Sequence, residues 1–214
     1  MKSKSSAIFF FLSIAILLSG RAWAMTVSYD QKVSVGGNAV ATIKVLSKDD
    51  LMRAESDFNG VKSMLFRNPK GTFSYLPEQK MAAQMPPALD RPNITRDIPK
   101  YMDFLNKNQG KKTGSETING VECDVYSFVE PNIQKPGKAW IWRERSFPVK
   151  IEVEAAEGKT VIEMANINFT PAVQDSDFEL PADAKIFNPM AGLGKTPDNA
   201  AANKVKAPVK TAKP

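Results

Sequence analysis

The chain has 214 residues and carries 29 lysines and arginines against 23 aspartates and glutamates, with a single cysteine and no histidine. The missing histidine excludes Ser-His-Asp and Cys-His catalysis and any imidazole-ligated metal. One cysteine, Cys123, can neither staple the fold nor build a structural zinc site.

The first segment, "MKSKSSAIFFFLSIAILLSGRAWAM", reads as a cleavable secretory signal. Lys2 and Lys4 precede an apolar run from Ala7 to Leu18, and Ala22-Trp23-Ala24 gives a small-x-small cleavage site. The run is shorter than the roughly 20 residues of a membrane span. Leu18-Ser19-Gly20 would suit a lipoprotein signal, but Arg21 stands where the acylated cysteine belongs. The expectation is an exported, periplasmic chain from residue 25 with no transmembrane segment after cleavage. Removing Lys2, Lys4 and Arg21 lowers the formal charge from +6 to +3, and residues 188–214 hold five lysines against Asp198. The body, 25–187, is therefore close to neutral at −1. That argues against a nucleic-acid-binding domain, although Trp140, Trp142, Arg143 and Arg145 interleave aromatics with charge.

From Met25 to about Pro86 the hydrophobic pattern alternates, as in a series of short strands. Asn59-Gly60 reads as a two-residue hairpin turn and Asn68-Pro69-Lys70-Gly71 as another. Val61, Ser63 and Leu65 share one face there and Lys62, Met64 and Phe66 the other, while Phe73 and Tyr75 lie together on the next strand. Pro77 ends that run. "DIPKYMDFLNKNQG" reads as the body's helix, with Asp97 as cap, Pro99 in the first turn and Gly110 at the end. Its apolar stripe is Ile98, Tyr101, Met102 and Leu105.

Strands resume at "GSETINGVECDVYSFVE", turning at Asn119-Gly120. Cys123, at alternate positions with Val121 and Val125, reads as a small buried residue. In "KAWIWRERSFPVKIEVE", Trp140 and Trp142 share a face against Ile141, Arg143 and Arg145. Phe147-Pro148 breaks the ladder, and Val149, Ile151 and Val153 resume a buried face. A turn at Glu157-Gly158 leads into "KTVIEMANINFT", and "SDFELPADAKIF" folds Phe178, Leu180 and Pro181 over an end of the sheet. Residues 188–214 are rich in Ala, Lys and Pro and read as a disordered basic tail. Gly194-Lys195-Thr196 lacks the upstream glycine of a phosphate loop, since Pro189 stands there. Glu152 and Glu154, and the Asp49-Asp50 pair, are the carboxylates an acid–base enzyme could use; alternation with Ile151 and Val153 points the two glutamates to solvent.

Several phrases then line up in order: Arg53-Ala54-Glu55, Tyr75-Leu76-Pro77 with Lys80, "GSETING" before Cys123 and Tyr126, Trp140-Ile141, Phe147-Pro148 with Lys150, and Asp175 to Pro181 as "DSDFELP". Together they resemble exported bacterial proteins of the LolA-like fold family, relatives of the outer-membrane lipoprotein carriers and sorting proteins, including a branch described only as a domain of unknown function. The resemblance runs from about Ala41 to Phe187. It implies an α+β fold: a strongly curved antiparallel sheet forming a half-open barrel with few helices. It also implies a non-enzymatic carrier or binding protein, without cofactor or metal, for a lipid or an acylated protein. Met64, Phe66, Phe73, Tyr75, Trp140, Trp142 and Met164 are the candidate lining of its hydrophobic cavity. The resemblance does not cover the tail, which reads as a flexible basic arm toward anionic envelope surfaces or as a plain solubilising extension. The alternative within the same fold is an envelope sensor or assembly adaptor that binds a partner protein and no small ligand.

Overall fold

The structure is a computed structural model that describes residues 25–58, 60–86 and 98–187. The expected signal segment, Asn59, the Asp97 cap and the tail lie outside the described residues. The strands are β1 (Thr26–Val35), β2 (Asn38–Lys48), β3 (Leu51–Phe58), β4 (Val61–Asn68), β5 (Gly71–Leu76), β6 (Met81–Gln84), β7 (Lys111–Ile118), β8 (Val121–Glu130), β9 (Lys135–Trp142), β10 (Phe147–Val153), β11 (Thr160–Asn168) and β12 (Lys185–Phe187). Among the described residues one α-helix, α1 (Tyr101–Lys107), follows a 3-10 turn at Ile98–Lys100. The strands form one sheet in the order β12-β6-β5-β4-β3-β2-β1-β11-β10-β9-β8-β7. Every pairing is antiparallel except β12 with β6. The sheet is curved and unclosed, as the α+β half-barrel expectation requires.

Tight turns set the register. Asn119 and Gly120 have φ of 49° and 79°, the left-handed pair that a two-residue hairpin needs. Gly36 and Gly37 make an equivalent turn between β1 and β2. Asp49, with φ of 55°, shares the β2–β3 turn with Asp50, so this acidic pair is a hairpin tip. Pro77 closes β5 as expected, and the chain then turns through left-handed Lys80 (φ 53°) and adds β6, within the series of short strands expected up to about Pro86. At the end of α1 the left-handed residue is Gln109 (φ 59°) and not Gly110. Gly110 is needed for another reason: its N–H reaches Leu105 O at 2.8 Å, and a Cβ there would lie 2.7 Å from the same oxygen.

Alternation assigns each strand two faces. One face carries the main core: Val27 and Tyr29 of β1, Val45 of β2, Met52 of β3, Phe128 of β8, Ala139 and Ile141 of β9, Phe147, Ile151 and Val153 of β10, and Ile162 and Met164 of β11. Ile98, Tyr101, Phe104 and Leu105 cover it from the helical side. Strands as distant in the sheet as β3 and β8 enter one cluster because the sheet curls around that helix. We call this the helix face, and the other the outer face.

The outer face is not bare. At one end Cys123, Val125, Trp140 and Val149 cluster, with Ile118, Val121 and Trp142 beside them. At the other, Phe66, Tyr75 and Ala82 pack with Met64, Leu180 and Ala184. The second cluster exists because the chain after β11 returns across β3 and β4. Asn68 Nδ2 donates to Phe178 O (2.9 Å) and Arg53 Nη1 to Asp177 O (3.2 Å), and Phe178 is fully buried. Leu180 folds in as expected, whereas Pro181 stays exposed.

Two readings of the "KAWIWRERSFPVKIEVE" segment need correction. The strand stops at Trp142, and Arg143 and Arg145 lie in the turn between β9 and β10 rather than on the Ile141 face. The register of β10 against β9 then shifts between Pro148 and Lys150. That bulge sends Val149 to the outer face beside Trp140, away from Ile151 and Val153, which stay in the main core.

Candidate functional site

The main apolar layer of the described residues lies between the helix face and α1. Its sheet side supplies residues with period two, and its cover supplies Ile98, Tyr101, Phe104 and Leu105. The expected stripe missed Phe104, which the structure buries beside Tyr101 with ring centroids 5.1 Å apart. Phe128 of β8 meets both rings edge-on, at 6.2 Å from Tyr101 and 5.5 Å from Phe104. Phe128 can reach them because Gly137, directly across on β9, has no side chain; a Cβ there would lie 2.4 Å from the Phe128 ring. An ion pair between Lys100 and Asp50 ties the start of the cover to the β2–β3 turn, and the ammonium holds the Asp50 carboxyl below its ordinary range. Methionine recurs throughout: Met52 and Met164 are buried in the layer, and Met25 and Met102 pack against it. Unbranched thioether side chains reshape at low cost.

Besides the buried Tyr29 hydroxyl, two further polar groups interrupt this layer. Gln31 of β1 has no solvent exposure, and neither its amide oxygen nor its amide nitrogen has a hydrogen-bond partner. Its register neighbours are Ile43 and Met164, and it alternates with Tyr29 and Val33, so it points to the helix face. The Tyr101 hydroxyl is also buried without a partner, and burial, with the charge of Glu130 adding to it, pushes the phenol far above its ordinary value. Glu130 itself is satisfied, accepting from Asn132 N and Nδ2 and from Ile133 N at 2.8–2.9 Å. The sequence does carry a signal for Gln31, namely a polar residue in an apolar slot of the Val27-Tyr29-Gln31-Val33 alternation, and our reading missed it.

The seven expected lining residues fall into different places. Met164 lies in the helix-face layer, next to Gln31. Phe66 and Tyr75 stack edge-on at 6.2 Å on the outer face, with Met64 beside them. Phe73 is buried on the same face, opposite Phe66. Trp140 lies at the other end of the outer face, its Nε1 donating to Glu116 Oε2 at 2.8 Å, with the Lys150 ammonium 4.9 Å from its ring centroid. Trp142 packs against Phe169 (5.5 Å), which also meets Phe147 and lies under the Arg145 guanidinium. The structure thus does not gather the seven around one cavity.

Grooves open on the surface. One of about 690 Å³ lies among the far ends of β2, β3 and β4, lined by Val40, Phe58, Met64 and Pro77 with Lys44, Glu55, Asp57 and Lys62. Phe58 and Val61 at that hairpin tip are each 57 % exposed. A smaller polar groove of about 400 Å³ on the outer face includes Asp30, Lys44, Arg53 and Asn166, closed by an Asn166–Asp30 hydrogen bond of 2.6 Å and an Arg53–Glu55 ion pair of 3.0 Å.

Glu152, expected to face solvent, is half-buried, and it does not resemble a general acid. Burial alone would raise Glu152, but hydrogen bonds from the Lys150 and Lys159 ammoniums at 2.8 and 3.0 Å outweigh it and hold the carboxyl below its ordinary value. Cys123 is buried, its thiol donates to Val121 O at 3.4 Å, and burial raises its pKa, the opposite of an activated thiolate. Among the described residues no helix is long and apolar enough to cross a membrane.

Neither a protein-family model nor a curated protein matches the chain. Solved structures do. An uncharacterized conserved protein from Thermus thermophilus superposes with a TM-score of 0.56 at 9 % identity, covering 78 % of this chain and 91 % of that one. The MucA/MucB complex of Pseudomonas aeruginosa matches with a TM-score of 0.49 at 13 % identity, over 76 % of this chain and 58 % of that one. A putative outer membrane lipoprotein-sorting protein domain from Vibrio parahaemolyticus matches with a TM-score of 0.37 at 13 % identity, over 74 % and 90 %. The superposition on the Thermus thermophilus protein shows a shared overall fold, which in this chain is a twelve-stranded unclosed sheet with a short helical cover over the described residues.

Proposed function

We propose that this is an exported, periplasmic, non-enzymatic binding protein that holds a hydrophobic ligand, a lipid or the acyl chain of a modified protein, between the helix face and α1. The observation that carries the reading is the methionine-rich apolar layer closed by a helix of only seven residues. Such a cover is light enough to lift, and the side chains beneath it adapt to an alkyl chain. Each methylene taken from water would contribute about 0.8 kcal/mol. Of the seven residues expected from the sequence, Met164 is the one we place in this lining. Phe66, Phe73 and Tyr75 with Met64, and Trp140 with Trp142, hold the outer face in shape behind it. The test is titration with a fluorescent fatty acid: saturable enhancement, abolished by a bulky Met164→Trp block but retained in Trp140→Phe, supports the reading.

A second reading has its own observation. The exposed Phe58 and Val40 lining the 690 Å³ groove, with exposed Val61 on the same hairpin as Phe58, would suit a partner protein, as in an envelope sensor or assembly adaptor. Co-purification of one partner, lost in Phe58→Ser and accompanied by no alkyl-probe binding, would favour it.

A further inference from the structure

The Gln31 carboxamide is out of place in the layer. It presents one carbonyl acceptor and two N–H donors, all buried and unpaired, from the middle of a strand whose neighbours on that face are Tyr29, Val33, Ile43 and Met164. An apolar side chain of similar size would pack there without that cost. We propose that Gln31 is the polar anchor of the site and that it recognises a neutral head carrying a carbonyl next to an N–H or O–H donor: an acyl amide or a protonated fatty acid. This rests on the binding reading above and specifies which hydrophobic ligands are preferred.

The chemistry follows from complementarity. The carbonyl of a primary amide or acid accepts from one Gln31 Nε2 N–H while its syn N–H or O–H donates to Gln31 Oε1, a paired hydrogen bond that engages the Gln31 acceptor and one of its two donors. An ester can take only half of this, and an alkane none. An ionised carboxylate is disfavoured, because the residues packed around Gln31 supply no cation and a buried unpaired charge is costlier than a buried amide. The flanking Met164 yields space, since its side chain can take another rotamer without leaving the layer.

The experiment is displacement of a bound fluorescent fatty acid from the full chain by lauramide, lauric acid, methyl laurate and a matched alkane, in wild type and Gln31→Leu. The expected result is that wild type prefers lauramide over the ester and alkane by on the order of ten-fold or more. Lauric acid should tighten as pH falls and its neutral form fills, with lauramide flat. In Gln31→Leu the four probes should converge, while alkane affinity holds. Gln31→Met serves as a second apolar variant if the first folds poorly. Unchanged ranking in both variants, or a crystal structure of the loaded protein in which Gln31 pairs only with an internal water, overturns the proposal while leaving alkyl binding intact. A wild type that displaces nothing, even the alkane, overturns the binding reading as well.

Discussion

Replacing Gly137 with alanine should be among the most disruptive single-methyl changes in this protein. The glycine has no need of left-handed backbone, since its φ is not in the positive region, so the effect is purely steric. The added Cβ would lie 2.4 Å from Phe128 Cζ and 2.8 Å from Cε1 and Cε2, against the roughly 3.5–4.0 Å at which two carbons rest. The Phe128 ring must therefore move by an ångström or more. It cannot do so freely, because Tyr101 and Phe104 are packed on it at 6.2 and 5.5 Å. Overpacking of this kind costs about 1–3 kcal/mol, and the upper half applies where the displaced group is an aromatic in the main core. For a domain of this size about 2–3 kcal/mol lowers the melting temperature by roughly 4–12 °C. Thermal unfolding followed by circular dichroism would read it. The mechanism also makes a coupling prediction: in the Phe128→Ala background the glycine substitution should cost less than about 0.5 kcal/mol, because the ring it strikes is gone. A Gly137→Ala protein as stable as wild type, or strict additivity with Phe128→Ala, would refute the steric reasoning.

Tyr101→Phe removes a buried hydroxyl that has no partner, so it should leave stability unchanged or raise it by up to about 1 kcal/mol; a loss of that size in a melt would mean the hydroxyl is engaged. Glu152→Gln should cost about 0.5–1 kcal/mol at neutral pH. The folded carboxyl is depressed below its ordinary value of 4.5. Its contribution is therefore complete above that value and is lost as pH falls through the folded value. The two melting curves should therefore converge as pH falls through the depressed folded value, and a gap that persists in strong acid would show the loss to be one of packing. Cys123 should resist a thiol reagent in the native protein and react fully in denaturant; rapid native labelling would contradict its burial.

Much of the sheet was legible because its punctuation is local. Asn119-Gly120 and Asn68 to Gly71 name their own turns, and Val61 to Phe66 divides between faces as the alternation requires. Gly36-Gly37 and Asp49-Asp50 carry the same chemistry in residues that also serve elsewhere, and the acidic pair was weighed as a site when it is a hairpin tip. What alternation could not tell is which face of a strand is the container. On β9 both Ile141 and Trp140 are buried, one under α1 and the other under neighbours on the outer face. On β4 the outer-face Phe66 is likewise buried, because the chain from Asp175 to Leu180 returns across β3 and β4, a contact between segments more than a hundred residues apart in sequence. The bulge at Pro148 was visible, but its consequence for Val149 follows only once the register against β9 is known. Gln31 was legible in principle, as the polar residue that breaks an apolar alternation.

The most direct test of a ligand between the sheet and α1 is native mass spectrometry of the protein purified from its own host, with lipid extraction of the same sample. The prediction is a retained adduct whose extract contains alkyl chains, reduced in the Met164→Trp protein. A wild-type chain that is empty in every preparation, and that neither shifts nor quenches an added fluorescent fatty acid, would contradict it.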